Sequence, residues 1–451
     1  MVAVGFVLYL AAIAAIAVAA WRRTRDIDDY LLGGRRSAAW VAALSAGASD
    51  MSGWLLLGLP GLAVVAPLAA TWTGIGLLVG IWLNWRLVAR PLREASAALG
   101  ALTLPEFLAR RFPAQATPLR LLTALTIVVF FLLYTSAGLV AGGKLFNTVF
   151  GLSYAFAVVL GAAIILLYTL FGGFLAVTWT DAFQAVLMSL ALLLVGALLL
   201  IAPPVGEVAS STATAPLAIA SALAWGLGYF GQPHILARFM ALGTPQGAVR
   251  ARRIAVGWTA LGLVAAIVIG SAGAGLVGPG GDPERVFMLA VSDRLAPWLA
   301  GFCLAAILAA IMSTADSQLL VTAAALAEDL LPRSAHGSPA RSLRNGRLAV
   351  VAVAVVACAL ALDPASGVFT LVARAWAGFG ATLGPVLLVA LHAPDASGRG
   401  AVAGLLGGAL VVCLWPFLPG GGFGVYELLP GFTAALVVNL AVNRHQRMAR
   451  S

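Results

Sequence analysis

Apolar runs of about 18 or more residues recur along the whole of this 451-residue chain, and they limit its fold more than any other feature. A run of that length crosses the hydrocarbon core of a bilayer as a helix. The chain is 62% hydrophobic and 10% charged, more apolar than a soluble core requires. The runs lack the period-two alternation of barrel strands. The expectation is an all-α polytopic membrane protein, a single transmembrane domain over residues 1–451.

The periodicity predicts thirteen spans: 3–21, 39–62, 69–91, 118–142, 153–171, 181–202, 213–233, 253–277, 295–326, 347–362, 366–392, 399–418 and 427–443. Threading these alternately across a membrane gathers 23 of the 27 basic residues on one side, leaving only Lys144, Arg285, Arg294 and Arg374 elsewhere. Basic residues concentrate in cytoplasmic loops, so the N-terminus is expected outside and the C-terminus inside. The same distribution argues against nucleic acid as the partner of the +10 net charge. The first run has no basic residue before it and Arg22–Arg23 after it, the reverse of a secretory signal, and is kept as a span. Cys303, Cys358 and Cys413 fall in apolar segments without metal-like spacing, which predicts free, buried thiols. The four histidines, His234, His336, His392 and His445, are scattered, with no zinc spacing and no nucleophile partner. An enzyme is not expected.

Two spans are interrupted. The stretch ALSAGASDMSGWLLLGLPG (43–61) carries Asp50 with Gly47, Gly53 and Pro60 at membrane depth. A charge there is costly and usually faces a pathway, and broken backbone is tolerated only where it is buried or lines a cavity. The stretch AWGLGYFGQPHILARF (224–239) is broken by Gly226, Gly228, Gly231 and Pro233. The two lie five spans apart, second and seventh, which fits a five-plus-five inverted repeat with substrate held at the midplane. The competing reading is that these small residues serve helix packing.

A third polar patch, ILAAIMSTADSQLLV (307–321), lies on the ninth span. Helical spacing brings the Ala310 carbonyl near the Ser313 and Thr314 hydroxyls. Hard cations take oxygen ligands, and carbonyls from the broken second span would complete a shell for a small one. The alternative is that both hydroxyls merely bond back to their own helix.

DDYLLGGR (28–35), the stretch around Asp50, GGFLAVTWTDAFQ (172–184), WGLGYFGQPHILARFM (225–240), AILAAIMST (306–314) and AWAGFG (375–380) together resemble the sodium:solute symporter family, in order and spacing, from about residue 27 to residue 435. The resemblance implies a leucine-transporter-like core with repeats at 39–202 and 213–392, an extra helix at 3–21 before it and two helices at 399–443 after it. It implies sodium coordination by the carbonyls of Ala48, Met51 and Ala310 and the hydroxyls of Ser313 and Thr314. Asp50 matches a carboxylate needed for sodium coupling. Ser52, Gly53, Trp54, Tyr134, Trp225, Tyr229 and Pro233 match substrate-linked positions. Arg35 matches a coupling arginine, and Asp181 an acid on the inward sodium path. Asp181 also suits the first turn of the sixth span, where the helix dipole favours an acid.

The implied function is sodium-coupled import of a small amino acid, L-proline first, across the inner membrane. Na+ is the co-transported ion and no transition metal is expected. The partners are a small solute and lipid, without nucleic acid or an obligate protein partner. The alternatives are another solute (pantothenate, a sugar, a monocarboxylate) or, in a different class, a channel. Arg374 departs from the pattern. It is expected either to snorkel outward or to pair with Asp316, an otherwise unexplained acid of the ninth span.

Overall fold

The computed structural model describes residues 1–22, 32–169, 173–202, 204, 215–330, 339–363, 365 and 367–449. Arg23, Arg25, Arg333 and most of the linker 202–216 lie outside the described residues, as does part of the 28–35 motif. The described chain is helical throughout, with one isolated β-bridge, between Ser37 and Leu242. Its helices are α1 (Val2–Trp21), α2 (Ala39–Asp50), α3 (Leu59–Val65), α4 (Pro67–Asn84), α5 (Arg90–Ala98), α6 (Leu104–Arg111), α7 (Ala116–Phe150), α8 (Tyr154–Thr169) and α9 (Phe174–Ile201). They continue as α10 (Pro216–Leu223), α11 (Pro233–Met240), α12 (Gly247–Gly273), α13 (Val286–Arg294), α14 (Pro297–Ala324), α15 (Pro339–Leu360), α16 (Val368–His392), α17 (Gly398–Leu414) and α18 (Leu428–Met448).

Among the described residues eight helices are long and apolar enough to cross a membrane, and the bent pair 39–50 and 54–65 makes a ninth candidate. Three shorter apolar helices, Tyr154–Leu166, Pro216–Gly231 and Leu348–Leu360, add to these. Burial sorts them. The α14 and α16 segments are 83% buried, whereas α1 is 22% and α17 33% buried. The polar motifs therefore lie on the central helices, and the rim presents leucine and valine outward, as at Leu406 and Leu410.

Two segments depart from continuous helix, and both were legible as interruptions. The α2 helix stops at Asp50, and the chain resumes through a π-turn at Trp54–Gly58 with a 61° bend. The second, Ala224–Gly231, is a 3-10 stretch between α10 and α11. Glycine here is a packing requirement. A Cβ on Gly80 would stand 2.2 Å from the Gly226 carbonyl oxygen, and one on Gly228 1.8 Å from the Trp376 indole nitrogen.

The two broken segments are tied together at one end of the bundle. The Ser37 amide donates to the Ala241 carbonyl (3.2 Å) and the Gly243 amide to the Ser37 carbonyl (3.0 Å). Arg35 reinforces this tie, donating to the Met240 carbonyl (3.0 Å), the Ser96 hydroxyl (3.1 Å) and the Ala101 carbonyl. At the opposite end Lys144 of α7 meets Glu284 (2.6 Å) and Asp282 (2.8 Å). Glu284 also accepts from the Val368 and Phe369 amides (3.1 and 3.0 Å), capping the start of α16. An acid suits that position, because the first amides of a helix lack internal partners.

Candidate ion and substrate site

The break after α2 turns main-chain oxygens out of their helical bonds. The Ala48 carbonyl accepts from the Ser313 hydroxyl of α14 at 2.8 Å and lies 3.5 Å from the Thr314 hydroxyl. Ser313 also reaches the Ala310 carbonyl (3.1 Å). Four of the five predicted sodium ligands, Ala48, Ala310, Ser313 and Thr314, thus converge between two helices. The reading in which both hydroxyls only bond back to their own helix fails, because both turn toward Ala48 of α2. Met51, the fifth, is fully buried at the break, three residues beyond Ala48. A hydroxyl has one rotatable proton and two lone pairs. Turning the Ser313 proton back to Ala310 leaves a lone pair facing a cation beside Ala48.

The Asp50 carbonyl is the hub of the break. It accepts from the Ser52 amide (2.9 Å), the Trp54 indole (3.1 Å) and the Tyr134 hydroxyl (3.1 Å). Its carboxylate takes the Tyr229 hydroxyl at 2.7 Å on Oδ2, while Oδ1 is buried without a partner. Ser52 accepts weakly from the Trp54 amide (3.4 Å). A Cβ on Gly53 would stand 2.8 Å from the Ala141 Cβ, so this residue sets how closely the break approaches α7. Predicted residues from three elements thus meet around Asp50: Ser52, Gly53 and Trp54 at the break, Tyr134 on α7 and Tyr229 on the 3-10 stretch.

Trp225 stands farther out. Its ring stacks on Tyr426 (5.1 Å between centroids), contacts Phe369 (4.9 Å) and lies 6.5 Å from Trp54. Pro233 opens α11 below, in the wall of a separate cavity. The aromatic partners Trp376, Phe369 and Tyr426 were missed. Trp376 donates to the Trp225 carbonyl (2.8 Å) and meets Tyr229 edge-on at 5.0 Å. Its signal was present in the AWAGFG motif, whose tryptophan had no assigned role.

Asp181 requires a correction. Helix α9 begins at Phe174, so Asp181 is not in a first turn and the dipole explanation fails. It is fully buried, accepting from Arg238 (3.0 Å) and Ser45 (2.6 Å). Arg238, read as a cytoplasmic-loop charge, is 1% exposed and also donates to Ser45 (3.1 Å), Ser317 and the His234 carbonyl (2.9 Å). Asp316 belongs to the same cluster, through Ser317 (3.3 Å) and the charges of Asp181 and Arg238. The pairing of Arg374 with Asp316 is thereby overturned. Arg374 is exposed, whereas Asp316 is fully buried. The thiols are free, but only Cys303 is buried; Cys413 is exposed on the rim helix α17.

The chain is 44% identical over 457 residues to a sodium/proline symporter of Escherichia coli strain K12, covering 95% of this chain and 90% of that protein. It is 44% identical over 440 residues to the high-affinity proline transporter PutP of Bacillus subtilis strain 168, covering 93% and 92%. In fold it is similar to a sodium-coupled sialic acid symporter solved in a substrate-bound outward-open state. The TM-score there is 0.83 at 18% identity, over 98% of this chain and 97% of that one. The likeness in fold extends to MhsT solved in complex with L-phenylalanine (TM-score 0.56, 15% identity, over 90% of this chain and 97% of that one). With a family model matching residues 30–408 and such relatives across nearly its whole length, this multi-pass membrane protein belongs to the sodium:solute symporter family.

Proposed function

We propose that this protein is a sodium-coupled symporter that imports L-proline across the inner membrane by alternating access, without an obligate protein partner. The observation that carries the reading is the oxygen cluster of Ala48, Ala310, Ser313 and Thr314 beside the unpartnered Asp50 oxygen. Its names come from relatives at 44% identity that are themselves proline transporters.

Sodium enters first and is held by the carbonyls of Ala48, Met51 and Ala310 and the hydroxyls of Ser313 and Thr314. Its charge draws α2 and α14 together and completes the adjoining pocket. Trp54, Tyr134, Trp225 and Tyr229 offer apolar faces to a pyrrolidine ring, Ser52 and Gly53 shape the turn, and Pro233 closes the floor. Asp50 couples the two ligands, because its carbonyl is held by Ser52, Trp54 and Tyr134 while its carboxylate is held by Tyr229 of the second broken segment. Arg35 couples through the inner tie, and Asp181 lies on the inward path of the ion. One charge moving through 100 mV releases about 2.3 kcal/mol, roughly fiftyfold in concentration.

The arrangement is assigned thirteen spans with the N-terminus outside and the C-terminus inside. Two inverted repeats occupy 39–202 and 213–392, flanked by the helix at 3–21 and the pair at 399–443. Uptake of radiolabelled L-proline into proteoliposomes with and without an inward sodium gradient tests the proposal, with Asp50→Asn as the control. Gradient-dependent accumulation abolished by the substitution is expected. Uptake indifferent to sodium would refute coupling, and gradient-driven uptake of pantothenate, a sugar or a monocarboxylate in place of proline would refute the substrate.

A further inference from the structure

Directly beneath the Asp50 site lies a set of polar groups that the sodium and substrate assignments leave unused. His234, the second residue of α11, is fully buried, and neither ring nitrogen has a partner. Its ring lies between Phe131 (5.5 Å) and Tyr134 (6.2 Å) of α7. Gln318 of α14 reaches the same turn of α7, its Oε1 accepting from Thr135 at 3.1 Å. The Gln318 Nε2 is buried without a partner. One turn further along the same three helices, Ile127, Pro233, Ala237, Leu320 and Val321 line a cavity of about 40 Å³. That cavity runs on to Thr103 and Asp329, at the end assigned to the cytoplasm.

Each buried polar group left without a hydrogen bond is destabilising, and native folds retain few of them. A histidine serving only as core would use at least one nitrogen. A neutral imidazole has one donor and one acceptor, and a carboxamide has two N–H donors. Together they match an amino-acid zwitterion, with N–H groups for the carboxylate and a bare ring nitrogen for the ammonium. The surrounding Phe131, Tyr134 and Pro233 are apolar, as a small aliphatic side chain requires. We infer that His234 and Gln318, with Thr135 orienting the amide, form a second, inner station that receives the transported zwitterion between the Asp50 site and the cytoplasm.

The cavity below is of water size in this arrangement. Occupation of the station therefore needs α11 to move away from α7 and α14. The chain has a place for that movement at Gln232, an extended residue (φ −78°, ψ 106°) joining the 3-10 stretch to α11. The station acts after the central site, so its loss slows release inward and leaves the first binding event intact.

The inference rests on the symport reading, and the experiment separates the two. Purified protein in proteoliposomes is measured for equilibrium sodium-dependent L-proline binding and for initial uptake rate. In His234→Phe, binding is expected within about threefold of wild type, with uptake slowed at least tenfold. His234→Gln, which keeps a donor and an acceptor, is expected to recover a third or more of the wild-type rate. Wild-type uptake by His234→Phe overturns the station. So does a binding loss that matches the uptake loss, which would place His234 in the central site. A glutamine variant as slow as the phenylalanine one overturns it too, since only shape would then matter. Gln318→Met carries the same binding-against-uptake comparison should His234→Phe not fold. Failure of wild type to bind L-proline with sodium would instead remove the symport reading, and the station with it.

Discussion

Arg238→Met is the most informative single perturbation of this fold. The guanidinium bonds to Asp181, Ser45, Ser317 and the His234 carbonyl, and it is 1% exposed. Among the described residues it is the one basic side chain bonded within a cluster that also holds Asp181 and Asp316, so its removal leaves two buried acids unbalanced. Breaking a buried pair by removing one partner costs about 3–5 kcal/mol, which at about 1.4 kcal/mol per tenfold is two to nearly four orders of magnitude in the folded population. Methionine keeps much of the volume, so the loss is electrostatic and not a cavity. The assay is thermal unfolding of the detergent-solubilised protein, read as the fraction remaining monodisperse after heating. Arg238→Met is expected to melt well below wild type. Asp181→Asn combined with Arg238→Met is expected to recover part of the loss, because one of the two stranded acids is gone. Residues in direct contact couple by about 0.5–3 kcal/mol in such cycles. Additive behaviour of the two substitutions, or a single variant as stable as wild type, would refute the account of Arg238 as the counter-charge of this cluster.

Three other substitutions test the site. Ser313→Ala removes an oxygen 2.8 Å from the Ala48 carbonyl; a bond to a charged group is worth about 1.5–3 kcal/mol, so the sodium half-saturation for L-proline binding should rise by about tenfold or more. Tyr229→Phe strips Asp50 of its side-chain donor at 2.7 Å and should weaken proline binding at saturating sodium by about tenfold. Tyr134→Phe, whose hydroxyl donates to the Asp50 main-chain carbonyl and not to its carboxylate, should do less in the same titration. Gly228→Ala forces a methyl into the Trp376 indole and should lower thermal stability by about 1–3 kcal/mol, whereas Gly257→Ala, with open space around it, should match or exceed wild type in the same melt.

What could be read before any coordinates follows from the range of each signal. Apolar run length is local, so among the described residues each predicted span overlaps helix, with ends displaced by up to several residues. Interruptions are also local, so Asp50–Gly53 and Ala224–Gly231 were legible as breaks. Arg238 was not legible as buried, because an arginine after a proline-led apolar turn looks the same whether it meets water or an acid on another helix. Asp181 was misplaced because the sixth span was started at its first charge, whereas α9 begins seven residues earlier with Phe174. A paired acid interrupts nothing. The aromatic wall of Trp225, Trp376, Phe369 and Tyr426 joins residues up to 201 positions apart, and no window of sequence contains such a contact. The sodium oxygens lay between these cases. Helical spacing explains Ala310 with Ser313, while the approach of Ala48 needed the resemblance.

Glu284 grips the first amides of α16 with the same carboxylate that meets Lys144, and the second of those amides belongs to Phe369, whose ring rests on Trp225. The loop at 282–284 and the indole are therefore consecutive links of one lever. A displacement of residues 282–284 is passed through Glu284 to Phe369 and so to the Trp225 ring, and a shift of that ring returns to the loop. Loop and aromatic wall are thus geared to each other by a single side chain.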